Sequence, residues 1–312
     1  MEQLLSIGAE ALRKAALNED AKAYVLNNEA LYKLMKKAAD RYIGGENLSE
    51  TLIKVQDSND TGFKCSIEYM GESTRSIKEA AKATDEFLDI CKAIEQKNLN
   101  STISLDLSHI GLEVSESLCY EHLSKICETA KDREVIISAE GTDRTDRILK
   151  LYQNGSKKYA NLSITLQAYL HRATDDFEAM CNERGRIRIV KGAFETAKGL
   201  SLPRGQELND RYIYFVEQLL SKGHPCSIAT HHHEIQQEVK KLIDTLKPNK
   251  ELYEFESLFG IQTDQLAQLK DEGYPTKLYF VYGQEWYLYL CNRLAEYPLN
   301  LFRALQDIVE SK

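Results

Sequence analysis

The chain has 312 residues, 43% hydrophobic and 28% charged, with a formal net charge of −8. This size and balance allow one α/β barrel with a full core, and the negative charge offers no electrostatic invitation to nucleic acid or anionic membrane. No run approaches the roughly 18 apolar residues of a membrane span, so no integral membrane segment is expected. The seven cysteines (65, 91, 119, 127, 181, 226 and 291) include no CxxC pair, a pattern of reduced, mostly buried thiols that points to a cytoplasmic protein. The segment Met1 to Ser6 has no basic or long apolar run, and Glu10, Glu19 and Asp20 argue against a transit peptide.

Taken in chain order, apolar residues recurring at three and four predict helices over 2–17 and 19–39. Gly44-Gly45 marks a break and Asn59-Asp60-Thr61-Gly62 a turn. A further helix is expected over Ser76–Gln96. Eight short β-rich runs follow the turn: 64–69, Ile103–Leu107, Val135–Ala139, Leu162–Ala168, Ile187–Lys191, Cys226–Thr230, Leu252–Ser257 and Lys277–Val281. Helical stretches separate them, which calls for parallel pairing through crossovers, and eight such units close into a (β/α)8 TIM-like barrel with an N-terminal helical extension. The arm is placed at 1–61 and the barrel at 62–312. An open doubly wound sheet would usually carry a GxGxxG turn after its first strand, and none occurs.

Polar residues stand at or just past the end of each run: Glu68, Asp106, Glu140, Gln167, Arg188, Lys191, Thr230, His231, Glu256 and Tyr279. Strand ends meet solvent, which explains any one of them, but mixed charges together with Gln and His describe a shaped site. Arg188 and Lys191 carry the sharpest demand. An unpaired interior cation costs several kcal/mol, so an anionic or electron-rich partner is expected at that strand end.

These residues sit in motifs that resemble the proline dehydrogenase family, flavoenzymes built on a distorted barrel. The fifth run keeps Arg188, Val190, Lys191 and Gly192, the fourth Gln167-Ala168-Tyr169, and the sixth Thr230-His231. The seventh keeps Glu254, Phe255, Leu258 and Gly260, the eighth Tyr279 and Gly283, and the last helix Tyr289, Arg293, Leu294, Ala295 and Glu296. The resemblance implies FAD as cofactor, hydride transfer from a proline-type carbon to flavin N5, and an electron acceptor such as a quinone or oxygen. It places Gln167, Arg188, Val190, Lys191 and Gly192 at the flavin, Thr230, His231 and His232 on its ribityl and phosphate side, and Glu296 at the adenosine end. Tyr279, Tyr289 and Arg293 fall on the substrate side.

Four further substrate-side positions depart from the family pattern. Asp106 stands where a lysine is usual, Ser138 for an aspartate, Phe194 for a tyrosine, and Asn292 for the first of paired arginines. On the cofactor side His232 replaces an asparagine, and Glu256 a glutamine. Removing one partner of a buried charged contact costs about 2 to 5 kcal/mol, so a pocket that loses two cations and gains Asp106 is expected to bind free proline weakly. The expected substrate is therefore a small-molecule secondary amine other than free L-proline. Genuine proline oxidation and a non-catalytic flavin-binding relative are the alternatives.

Two other chemistries compete. His231 and His233 suggest a metal, but further ligands at matching spacing are missing, and no metal is expected. Glu68, Glu140 and Glu256 could form a carboxylate pair for glycoside hydrolysis, but nothing in the sequence fixes their separation. Trp286 and Tyr287 are expected to pack.

Overall fold

The computed structural model describes residues 2–71, 73–194, 196–296 and 299–309. Four helices come first: α1 (Glu2–Ala16), α2 (Glu19–Asn27), α3 (Glu29–Asp40) and α4 (Leu48–Asp60). Strands and helices then alternate as β1 (Lys64–Tyr69), α5 (Ile77–Gln96), β2 (Ser101–Leu105), α6 (Glu116–Ala130), β3 (Val135–Ile137), α7 (Thr145–Ser156), β4 (Leu162–Gln167), α8 (Ala173–Met180) and β5 (Ile187–Val190). The order continues with α9 (Gln206–Lys222), β6 (Cys226–Ala229), α10 (His233–Leu246), β7 (Tyr253–Leu258), α11 (Thr263–Asp271), β8 (Thr276–Tyr282), α12 (Trp286–Glu296) and α13 (Asn300–Val309). The strands form a closed barrel in sequence order. The expected 19–39 helix is broken, because Asn28 turns extended and its side chain accepts from the Leu31 amide at 3.1 Å, ending α2 and capping α3.

The chain divides into two compact units. The first holds residues 1–55, Leu258–Ile261 and Phe280–Lys312; the second holds Gln56–Ser257 and Gln262–Tyr279. In the first, Gly260 lies at φ +77°, and a Cβ there would stand 1.8 Å from the Arg41 carbonyl oxygen, so only glycine fits. Trp286 and Tyr287 are buried in this unit, with the indole Nε1 donating to Glu46 at 2.8 Å.

In the second unit, the odd-numbered positions of β1 and β2, Cys65, Ile67, Ile103 and Leu105, are fully buried, and α5 presents Ala83, Phe87, Ile90 and Ile94 as its apolar face. The alternate positions of the strands point inward, and most of them are polar. Ser66 and Ser104 meet at 3.0 Å across the axis-facing side of β1 and β2. At the N-terminal end, four residues from alternate strands make a ring of alternating charge: Lys64–Glu134 at 3.7 Å, Glu134–Arg186 at 3.2 Å, Arg186–Glu254 at 3.8 Å and Glu254–Lys64 at 3.0 Å. Barrel interiors are usually filled by branched aliphatic layers, each contributed by alternate strands; here one such layer is ionic. Burial works to raise the Glu134 and Glu254 carboxyls, and the neighbouring Lys277, Lys64 and Arg186 charges overcome it, holding both below the usual range.

Candidate active site

Lys277 links this ring to the next level. It is 0% exposed, and its ammonium reaches Glu254 at 2.6 Å and Glu256 at 2.9 Å. Glu256 in turn accepts from Arg188 Nη1 at 3.0 Å. Arg188 also donates through Nε to Thr165 at 2.8 Å, through Nη1 to Ser104 at 3.0 Å and through Nη2 to Ser138 at 3.1 Å. Those bonds engage every guanidinium hydrogen except one on Nη2. The anion that the sequence demands for Arg188 is therefore supplied within the chain by Glu256, and Arg188 is the hub of the barrel axis as well as a candidate for the cofactor.

Above Arg188 the chain of contacts reaches the C-terminal strand ends. Ser138 donates to Glu68 Oε2 at 2.6 Å, Tyr279 donates to the same oxygen, and the Arg188 guanidinium lies 4.9 Å from the Tyr279 ring centre. Burial raises the Glu68 carboxyl, with the Ser138 and Tyr279 hydroxyls and Arg188 opposing it. Asp106, just past β2, is half-buried; its carbonyl accepts from the His109 amide at 3.2 Å, while its carboxyl makes neither hydrogen bond nor ion pair among the described residues. Burial first, and then the Glu68 and Glu140 charges, push its carboxyl well above the ordinary range. Glu140 accepts from the Ser108 amide at 3.1 Å and pairs with Arg144 at 3.3 Å.

Gln167 closes β4. Its Nε2 donates to the Glu140 carbonyl at 3.0 Å, which fixes the amide orientation and leaves the buried Oε1 without a partner among the described residues. Beside it, the exit of β5 turns at Gly192, where φ is +108° and a Cβ would meet the Tyr169 ring at 2.2 Å. Tyr169 donates its hydroxyl to the Phe194 carbonyl at 3.0 Å, and the Phe194 side chain itself is 47% exposed. Val190 is half-buried, and its carbonyl receives the Ala168 amide at 2.8 Å.

Lys191 points toward α9 and the β6 exit. Its ammonium donates to Asn209 at 2.7 Å and to His232 Nδ1 at 3.1 Å, and no carboxylate lies within ion-pair distance among the described residues. Burial, with Arg204 nearby, lowers Lys191 to about 8. His232 Nε2 lies 3.0 Å from Glu234, so the network places the ring hydrogen on Nε2 and the lone pair on Nδ1. Thr230 is buried and accepts from the His232 amide at 3.1 Å, and the half-buried His231 gives its carbonyl to Gln265 at 3.2 Å. His233 is exposed, and no three His, Cys, Asp or Glu side chains gather as metal ligands among the described residues.

The last four candidates lie on α12, in the first unit. Arg293 stacks 5.0 Å from the Tyr289 ring centre and pairs with the exposed Glu296, and its buried Nε has no hydrogen-bond partner among the described residues. Asn292 is half-buried. Sequence reading put Glu68 and Glu256 at strand ends without assigning them a partner, and it missed Lys277, Ser104 and Thr165. The available signal was a polar residue at every second position: 64, 66 and 68 in β1, 163, 165 and 167 in β4, and 277 and 279 in β8.

Residues 51–300 match the family model described as proline dehydrogenase. The chain is 31% identical over 296 residues to Proline dehydrogenase 1 of Bacillus subtilis (strain 168), covering 92% of this chain and 97% of that protein. It is 28% identical over 292 residues to Proline dehydrogenase 2 of the same organism, covering 93% of this chain and 96% of that one. The fold is similar to the crystal structure of proline utilization A (PutA) from Bdellovibrio bacteriovorus inactivated by N-propargylglycine, with a TM-score of 0.80 at 18% identity. That match covers 98% of this chain and 38% of the longer one, and it bears on fold alone. With a barrel of the expected strand order, and family motifs at its strand ends, the chain belongs to the proline dehydrogenase family of oxidoreductases.

Proposed function

We propose that this chain is an FAD-dependent dehydrogenase that oxidises a secondary amine of the proline class to its imine. The observation that carries the reading is the buried, unpartnered Oε1 of Gln167 at the end of β4, which suits an N–H donor such as a flavin ring edge. FAD, when bound, supplies the hydride acceptor. Gln167 would hold the ring and Arg188 would offer its remaining Nη2 hydrogen. Val190 and Gly192 would shape the backbone beside the ring, while Lys191, Thr230, His231 and His232 would hold the anionic part and Glu296 the adenosine end. A quinone or oxygen would take up the electrons. No disulfide joins the seven cysteines, six of them buried, which favours a reducing compartment, the cytoplasm. Among the described residues no helix is long and apolar enough to cross a membrane.

The names of the full-length relatives favour free L-proline as substrate, and the unpartnered Arg293 Nε is a donor suited to a carboxylate. Asp106, which burial and the Glu68 and Glu140 charges hold toward its neutral form, would regain its charge beside a cation, and so favours a different amine, with its carboxylate masked or with a second positive charge. Comparing kcat/KM for L-proline and L-prolinamide in the wild type and in Asp106→Lys separates the two. If Asp106 selects the substrate, the lysine variant gains on the order of tenfold for proline, about 1.4 kcal/mol, and loses for the amide. A fall for both would show that Asp106 does not discriminate against carboxylates.

A pH dependence follows from Lys191. Its pKa of about 8 means that the ammonium is charged below that pH and neutral above it, so FAD retention should weaken as pH rises through about 8. The unfolded chain keeps this proton to higher pH, so Lys191 alone would favour folding as pH rises. Flavin release followed by fluorescence should show the step at about pH 8 in the wild type and not in Lys191→Gln.

A further inference from the structure

With Glu68 as the carboxylate, counting hydrogens gives the hydrogen-bond network at the barrel mouth a direction. Arg188 can only donate, so Ser138 Oγ, 3.1 Å from Nη2, is an acceptor there, and its single hydrogen goes to Glu68 Oε2 at 2.6 Å. Tyr279 lies within hydrogen-bond distance of the same carboxylate oxygen. Ser138 Oγ also lies 3.4 Å from the Tyr279 oxygen, but its one hydrogen is already given to Glu68, so the Tyr279 hydrogen is directed into the Glu68–Ser138 pair, with Glu68 the nearer acceptor, and any further partner of the Tyr279 oxygen must bring its own hydrogen. Tyr279 is half-buried, so such a partner can reach it. Where the family pattern has an aspartate on β3, this chain has Ser138 as a relay and takes the carboxylate from Glu68 on β1.

We propose that Glu68 holds the Tyr279 hydroxyl as a hydrogen-bond acceptor toward the mouth, making this part of the pocket a receptor for an amine N–H and not for a carboxylate. Glu68 is in this sense a positioning residue that sets the polarity of Tyr279. The proposal rests on the secondary-amine reading above and assigns which group of that substrate meets β8.

The test uses FAD-loaded protein and two probes of one ring size: pyrrolidine, which has the amine and no carboxylate, and tetrahydrofuran-2-carboxylate, which has the carboxylate and no N–H. Flavin content, measured first by absorbance, judges the function reading separately; calorimetric affinities judge this one. Glu68→Met is expected to weaken pyrrolidine at least tenfold and to leave the ether carboxylate unchanged or tighter, since the freed Tyr279 hydroxyl can then donate. Glu68→Asp, which retains the carboxylate, should restore pyrrolidine to within about threefold. Tyr279→Phe should reproduce the selective loss, and the double variant should lose no more than either single one. Equal changes for both probes, or losses that multiply in the double variant, would overturn the assignment. If Glu68→Met does not fold, Tyr279→Phe still decides, because a larger loss for the carboxylate than for the amine contradicts the proposed polarity.

Discussion

Replacing Lys277 by methionine is expected to lower thermal stability by about 3 to 5 kcal/mol, the range for removing one partner of a buried ion pair. Methionine matches the stem of the lysine, so the loss isolates the charge. Lys277 is fully buried between Glu254 at 2.6 Å and Glu256 at 2.9 Å, and without it these two carboxylates, two residues apart on β7, lose the cation that touches both. At about 2 to 4 °C per kcal/mol for a chain of this size, the melting temperature should fall by roughly 6 to 20 °C. Adding Glu254→Gln should recover part of that loss, since the double variant no longer holds two carboxylates side by side without the cation that joined them. A fall of less than about 2 °C in Lys277→Met would show that the axis does not depend on this ion pair.

The pH dependence of the ring has a definite sign. Glu254 is held well below its ordinary value by Lys277, Lys64 and Arg186 against the cost of burial. Its contribution is therefore present above the carboxylate's unfolded pKa and is lost as pH falls through the depressed folded value. In Lys277→Met the protein should unfold at a higher pH on acidification than the wild type does.

Arg188→Leu is the second large effect, and it acts at the other end of the same chain of contacts. The substitution removes the donors to Thr165, Ser104, Ser138 and Glu256 and the cation above the Tyr279 ring. Leaving these acceptors buried without donors is expected to cost about 3 to 5 kcal/mol of stability. It should also weaken flavin binding, because the Nη2 hydrogen that Arg188 keeps free of the barrel contacts, the one proposed to meet the flavin, is lost. Arg188→Lys keeps the charge but cannot span four acceptors in one plane. It should regain part of the melting temperature and little of the flavin, so the two readouts separate charge from geometry. Equal recovery of both by lysine would mean that charge alone suffices.

How much of this was legible in the sequence depends on the kind of signal. The eight strands were legible because short β-rich runs bounded by turns leave few alternatives, and the barrel followed from their alternation with helices. Asn28 before Glu29 was a cap inside what reads as one long apolar periodicity, and its amide oxygen ends a helix that propensity would continue. The rim of the site was legible because charges at the ends of apolar runs stand out. The axis was not, because Ser66, Ser104, Thr165 and Ser227 read as the solvent face of ordinary strands until closure turns that face inward. The pairing of Glu256 with both Lys277 and Arg188 is likewise invisible to spacing, since β5, β7 and β8 bring it together across the barrel. The grouping of α12 with the N-terminal helices is another long-range fact that no local pattern announces.

Oxidation of a proline-class amine with bound FAD can be watched in the visible spectrum of purified protein during anaerobic titration with L-proline, L-prolinamide and pyrrolidine. The protein is expected to be yellow and to release FAD on denaturation, and at least one of these amines is expected to bleach its flavin band. A colourless protein that FAD cannot reconstitute, or a flavin band that none of the three bleaches, would contradict that function.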